Sequence, residues 1–145
     1  MSDFYGHHIG VAAVCWDGES DILLQHRNKD PGRGYLVLPG GTLEKEDSRA
    51  GMQRELKEEI DVEATSLMHL TFNSDTTSQD HPITMLYFLA RVDRQRVRNV
   101  EPDKCLELVW VNVHNTSVFG LGPMWEGDRL AFVEAQSYIR RKLLL

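Results

Sequence analysis

Three carboxylates, Glu55, Glu58 and Glu59, fall at i, i+3 and i+4 in the segment RELKEE. At about 3.6 residues per turn, these positions share one face of a helix. An isolated triplet of this kind is usually a solvated surface. Here Ala50, Met52, Leu56 and Ile60 give the same segment a separate apolar stripe, so the acidic face is distinct. Like charges packed this closely oppose the helix unless a cation offsets them. Arg54 alone cannot balance three carboxylates, and Lys57 lies off that face. A hard divalent ion such as Mg²⁺ accepts a few carboxylates and keeps water positions that phosphates can take. The chemistry expected is therefore cation-assisted work on a phosphate. Upstream, Gly40 and Gly41 follow a short apolar run and Pro39. Adjacent glycines let a backbone approach a ligand or ion closely. The pair is thus placed to aim a carbonyl at the same ion.

The flanking sequence supplies the elements that must hold these groups. IGVAAVCW and ILLQHR read as strands separated by the turn DGESD. NKDPGRG is loop chemistry, and YLVLP is a short strand. A helix follows, with Asp47 or Ser48 available as its N-cap. Gly51 inside that helix costs about 1 kcal/mol against Ala, which points to close packing of the helix on the sheet. HLTFNSD, ITMLYFLARVD and CLELVWVNV are three further strands. The last helix spans Trp125 to Leu143, with Leu130, Phe132, Val133, Tyr138, Ile139 and Leu143 available to the core and basic residues in its last turns. Strands, one helix, strands and a final helix predict an α/β sandwich, a mixed sheet between α-helices.

With those elements in place, the segment from Gly40 to Val62 resembles the signature of the Nudix (MutT-like) hydrolases. That signature is Gly, five residues, Glu, seven residues, Arg-Glu, an apolar residue, any residue, Glu-Glu, any residue, Gly and an apolar residue. Gly40, Glu46, Arg54, Glu55, Leu56, Glu58, Glu59 and Val62 match it without a gap. Asp61 stands where the family usually has Gly, and Asp tolerates the left-handed conformation better than most residues. A second register reads GGTLEKED with Asp47 as the acid before Arg54, so Glu46 and Asp47 both stand as its partner.

The resemblance implies a Nudix fold with a loop-helix-loop catalytic box. It implies Glu55, Glu58 and Glu59 as metal carboxylates, with Gly40 as a further ligand through its carbonyl. It implies a structural role for Arg54, and Glu55 as general base, although some members carry the base on another loop. The activity implied is Mg²⁺-dependent (Mn²⁺ as a substitute) cleavage of a diphosphate linkage, first of a (d)NTP to the monophosphate plus pyrophosphate. The alternatives are a nucleoside diphosphate linked to a sugar or another group, an RNA 5′-triphosphate end, and a non-catalytic binding domain. NVEPDKCLELVWV is similar to a segment of members that cleave nucleoside triphosphates. Some of those carry a metal-binding Glu where this chain has Val109, and Glu107 shares that strand face. Arg27 and Gly41 are candidates for substrate contact. Phe119 and Trp125, in a Gly-rich loop, are candidates for stacking on a base; Trp16 and Tyr35 are further aromatics of this kind.

Length and composition set the outer bounds. A chain of 145 residues suits one domain, residues 1–145. A net charge of −6 and the lack of a basic block argue against extended nucleic-acid binding. No apolar run approaches the roughly 20 residues that span a bilayer. The first residues hold no secretory apolar core, so the expected location is the cytoplasm. Cys15 and Cys105 sit in apolar runs and read as buried reduced thiols. His7 and His8 read as a disordered terminus, and His69 and His81 as strand or turn residues. The partner expected is a small nucleotide. The apolar KLLL tail suits either a homodimer or closure of the core.

Overall fold

The computed structural model describes residues 8–75, 82–115 and 117–144. The apolar runs become strands β1 (His8–Trp16) and β2 (Asp21–Arg27). Then come β3 (Leu36–Val37), β4 (Gly40–Thr42), helix α1 (Ser48–Ile60), β5 (Ser66–Asp75), β6 (Ile83–Arg91), β7 (Cys105–Asn112) and helix α2 (Glu126–Leu143). One mixed sheet joins all seven strands. Its path runs β3-β2-β1-β6-β5, with β4 on β1 and β7 on β2. β1 and β6 pair in parallel along their whole length, from His8 opposite Ile83 to Trp16 opposite Arg91. Both read as nearly unbroken apolar runs because both faces of such strands are covered. His8 is thus the first ladder residue of β1 rather than part of a disordered terminus. His7 and His81 lie outside the described residues. His69 is in β5, edge-on to Phe88.

The alternation of β1 assigns each helix a face. Val11, Ala13 and Cys15 pack with Met52, Leu56 and Ile60 of α1. Ala12 and Val14 pack with Ala131, Phe132, Ala135 and Ile139 of α2. The sheet is therefore covered by α1 on one side and α2 on the other, the sandwich expected. Each fully buried Leu, Ile, Phe or Met contributes about 1.5–3 kcal/mol relative to exposure. Cys15 and Cys105 are both buried and free.

Three details extend or differ from the sequence reading. The Gly pair is itself a strand: Gly40 and Gly41 belong to β4, opposite Ala12 and Val11 of β1. A Cβ on Gly40 would meet the Ala12 Cα at 2.8 Å, so only glycine lets these backbones pair so closely. On α1, Gly51 is buried in place of Ala50. A Cβ there would lie 2.8 Å from Glu46 and collide with Leu43, so this glycine seats the preceding loop on the helix rather than the helix on the sheet. On α2, Leu130, Val133 and Leu143 are exposed and Tyr138 is half-buried. Ala131 and Ala135 take the core positions, because small side chains bring the helix close to the sheet.

Each end of α1 is fixed by an aspartate. Asp47 is the N-cap, and its carboxylate accepts the Ala50 N–H at 2.9 Å. Asp61 ends the helix in the left-handed conformation, φ 59° and ψ 37°. Its carboxylate accepts from Lys57 Nζ at 2.6 Å and from Arg98, which holds its pKa below the usual value, Lys57 being the larger cause. Those contacts let an aspartate serve where a glycine would otherwise be needed.

Candidate active site

β1 and β2 pair only next to their turn, through Cys15 with Leu23 and Trp16 with Ile22. Farther along, β1 takes β4 and β2 takes β3 and β7. A cleft of about 1010 Å³ is lined by residues from both halves. Its acidic end carries Glu55, Glu58 and Glu59 of α1, beside Gly40 and Gly41 of β4.

Arg54 organises that end. Glu46 is the acid it holds most closely, with one oxygen 2.9 Å from Nε and 2.7 Å from Nη2. Nη1 donates to Glu55 at 3.1 Å and to Glu58 at 3.3 Å, and Nη2 donates to the Thr42 carbonyl at 3.3 Å. The planar guanidinium thus ties loop, β4 and helix together in a way a lysine cannot. These bonds, Glu46 first, raise the Arg54 pKa above its ordinary value. Asp47, capping the helix, takes no part in them.

Glu55 packs on Gly41, where a Cβ would stand 2.6 Å from its carboxyl carbon. Glu59 reaches deeper and accepts the Gly40 N–H at 3.0 Å. Burial, followed by the adjoining Glu55 carboxyl, pushes the Glu59 pKa up to about 9. Positive charge beside Glu59 is therefore favoured. Glu58 is the most solvated of the three.

Among the described residues, no three His, Cys, Asp or Glu side chains converge as a ready coordination shell. The donor set nonetheless fits a hard cation. Two half-buried carboxylates crowded together mark a place where positive charge lowers the energy, and Glu58 lies one turn from Glu55 on the same helix face.

The same cleft also carries cations. Arg27, Lys29 and Lys104 line it, and the charge of Glu59 bears on Arg27 and Lys104. Arg27 donates from Nε to the Pro31 carbonyl at 2.7 Å and lies 5.2 Å from the Trp125 ring centre. Burial lowers its pKa, while Glu59 and Asp30 oppose that shift. Trp125 stands just before α2, with Tyr35 tilted against it at 5.5 Å.

The NUDIX domain family model matches residues 6–132. The chain belongs to that family. It is a MutT-like Nudix hydrolase and an enzyme of the pyrophosphohydrolase type. The 8-oxo-dGTP diphosphatase of Proteus vulgaris is 32% identical over 93 residues, covering 61% of this chain and 80% of the relative. The fold is similar to that of the MutT NUDIX hydrolase of Burkholderia pseudomallei, with TM-score 0.77, 23% identity and coverage of 88% of this chain and 97% of that one. It is also similar to the NUDIX domain of Shewanella oneidensis NrtR complexed with ADP ribose, with TM-score 0.74, 16% identity and coverage of 92% and 88%.

The Nudix box of this hydrolase brings Gly40, Gly41, Glu55, Glu58 and Glu59 to the cleft, with Glu46 and Arg54 bonded behind them, and Arg27 and Trp125 line the same cleft. Phe119 lies in the short 3-10 turn Val118–Leu121, and its side chain is outside what the structure describes. Glu107 does not line the cleft. It accepts a hydrogen bond from His26 Nδ1 at 3.0 Å instead.

Several cleft residues are not evident from the sequence. Lys104, bonded to Glu101 at 3.1 Å, reads there as an exposed loop residue. Glu101 adds a fourth carboxylate whose charge bears on Glu59. Asp128 in the first turn of α2 is buried. Its carboxylate accepts from the Tyr87 hydroxyl at 2.9 Å and the Leu38 N–H at 3.2 Å, and burial raises its pKa. An acid in a helix's first turn ordinarily reads as a surface partner of the dipole, which conceals this one.

Proposed function

We propose that this enzyme hydrolyses the diphosphate linkage of a small nucleotide, first of all a (d)NTP to the monophosphate plus pyrophosphate. The observation that carries the reading is the meeting of both charges in one cleft. Glu55, Glu58 and Glu59 line it together with Arg27, Lys29 and Lys104. An anionic phosphate chain satisfies the cations directly, but it approaches the acids only through a divalent ion. Hydrolases of this family generally use one. We assign Mg²⁺, with Mn²⁺ as a substitute, to Glu55, Glu58, Glu59 and the Gly40 carbonyl. When bound, the ion offsets charge on the phosphates and makes water a stronger acid.

The chain's own groups do the rest. Arg27, Lys29 and Lys104 hold the non-reacting phosphate oxygens and leave one phosphorus facing the acids. Glu55 accepts the proton as water oxygen bonds to phosphorus, and the bridging P–O bond breaks so that its electrons leave with the departing phosphate. Arg54 fixes Glu55 for that task. Trp125 is a flat surface for the base at the cleft mouth.

The diphosphatase activity named for the Proteus vulgaris relative supports a nucleoside triphosphate substrate. The ADP ribose bound by the Shewanella oneidensis neighbour favours a second reading, a nucleoside diphosphate joined to a sugar. A Mg²⁺-dependent phosphate-release screen over ordinary and oxidised (d)NTPs, dinucleotides and nucleotide sugars separates them. Turnover of nucleotide sugars alone overturns the first reading, and turnover of none favours a binding domain. A single domain over residues 1–145, cytoplasmic location and homodimerisation complete the reading. Leu143 and Leu144 are exposed rather than closing the core. Light scattering tests the dimer. No described helix is long and apolar enough to cross a membrane.

A further inference from the structure

Gln25 of β2 is 5% exposed and lines the cleft. Among the described residues its side-chain amide has no hydrogen-bond partner within the protein. Among the described residues no side-chain N or O atom is both buried and unsatisfied, so this amide opens to the cleft, where water or a ligand takes its hydrogen bonds. Two positions earlier on the same strand face stands Leu23, which packs in the apolar core instead.

Its surroundings define what it faces. Alternation along β2 puts Gln25 on the same face as Arg27. β2 loses its regular register with β7 between His26 and Arg27, next to Cys105. Gln25, Arg27 and Lys104 are thus three donors in the cleft that Glu59 and Gly40 also line. Arg27 and Lys104 already hold internal partners, Pro31 and Glu101, whereas the amide of Gln25 does not.

From this juxtaposition we propose that Gln25 is a phosphate-binding residue, its Nε2–H donating to an oxygen of the substrate's diphosphate between the cations and the carboxylates. The proposal rests on the cleft being a diphosphate site, as argued above. A neutral amide suits that position, because a further cation there would pair with Glu59 instead of with the ligand, and a carboxylate would repel it.

Calorimetric titration with methylenediphosphonate in saturating Mg²⁺ tests this without need of the natural base, and a titration of Mg²⁺ alone runs beside it. Gln25→Met keeps the volume and removes the donor, and Gln25→Ala serves if the longer side chain disturbs folding. The expected result is diphosphonate affinity weakened about tenfold to a hundredfold, the range for a hydrogen bond to a charged group, with Mg²⁺ affinity and Tm as in the wild type. Unchanged diphosphonate affinity overturns the proposal. So does an equal loss of Mg²⁺ affinity, which would make the amide part of the metal site, and so does loss confined to a lower Tm. A wild-type protein that binds Mg²⁺ but no diphosphonate overturns the diphosphate reading itself and the proposal with it.

Discussion

Two groups of carboxylates at the same cleft stand under opposite conditions. At the α1 end, Glu46, Glu55 and Glu58 crowd around the Arg54 guanidinium, and the pKa of Glu59 beside them is raised because burial and Glu55 disfavour its charge. At the α2 end, Asp128 alone is satisfied by two neutral donors, Tyr87 and Leu38. The first group has more negative charge than its partners can offset. The second is complete. A carboxylate cluster left short of positive charge is suited to take up a cation, and one closed by neutral donors is suited to hold strands and helix together. Charge balance, rather than burial or cleft position, separates function from scaffold here.

The widest test of that difference removes charge at the α1 end. In Glu58→Gln/Glu59→Gln, Mg²⁺-dependent pyrophosphate release should fall by at least about a thousandfold, the scale of several kcal/mol of transition-state stabilisation. Tm without metal should hold or rise, since two crowded acids are gone. Activity at the wild-type level would show that the cluster is only a surface.

Removing the single acid at the α2 end should do the reverse. Asp128→Ala leaves the Tyr87 hydroxyl and the Leu38 N–H buried without their acceptor, at roughly 1–3 kcal/mol for each. Urea unfolding should report the loss, while Mg²⁺ affinity measured on the folded protein stays unchanged. A drop in Mg²⁺ affinity with stability intact would erase the distinction between the two ends.

A smaller effect is expected where the two roles meet in one residue. Arg54→Lys keeps a positive charge but loses the fork that spans Glu46, Glu55 and Thr42. Metal affinity should weaken by about ten- to a hundredfold, as for other groups that orient metal ligands. Activity should recover at high Mg²⁺ if Arg54 acts by orientation, and stay low if the guanidinium itself touches substrate.

The contrast also explains what could be read from the sequence. The α1 end was legible because its contacts are local. Arg54, Glu55, Glu58 and Glu59 lie within two turns of one helix, and Glu46 is in the loop just before it. The spacing alone left Glu46 and Asp47 undecided, because the choice depends on the N-cap, which Asp47 takes. The fold class was legible from the order of apolar runs. The other cleft walls were not, because they arise from long-range pairing. Lys104 comes to Arg27 through the β2–β7 register, and Asp128 reaches Tyr87 and Leu38 across the sandwich. α2 was misread at Leu130 and Val133 for a related reason. Sequence hydrophobicity favours large residues, whereas close helix–sheet packing selected Ala131 and Ala135.

The gentlest perturbation of the comparison is pH. The Glu59 pKa is raised on folding from 4.5 to about 9, so the folded protein binds this proton more tightly than the unfolded chain does. The resulting stability is fully present below about pH 4.5 and is lost as pH rises toward 9. Without divalent metal, Tm should therefore decline from pH 6 to pH 9 by on the order of a few degrees, since water entry and relaxation discount the full shift. Mg²⁺ displaces the proton, so its affinity should increase with pH over the same window and the decline in Tm should vanish in its presence. Glu59→Gln should flatten the metal-free slope. The raised pKa of Asp128 has the same sign, but two hydrogen bonds to the carboxylate oppose its shift, and no cation takes its proton's place. Any slope that remains in Glu59→Gln should therefore be insensitive to Mg²⁺. If Mg²⁺ changed that remaining slope, Asp128 too would belong to the cation site, and the two ends of the cleft would differ only in degree.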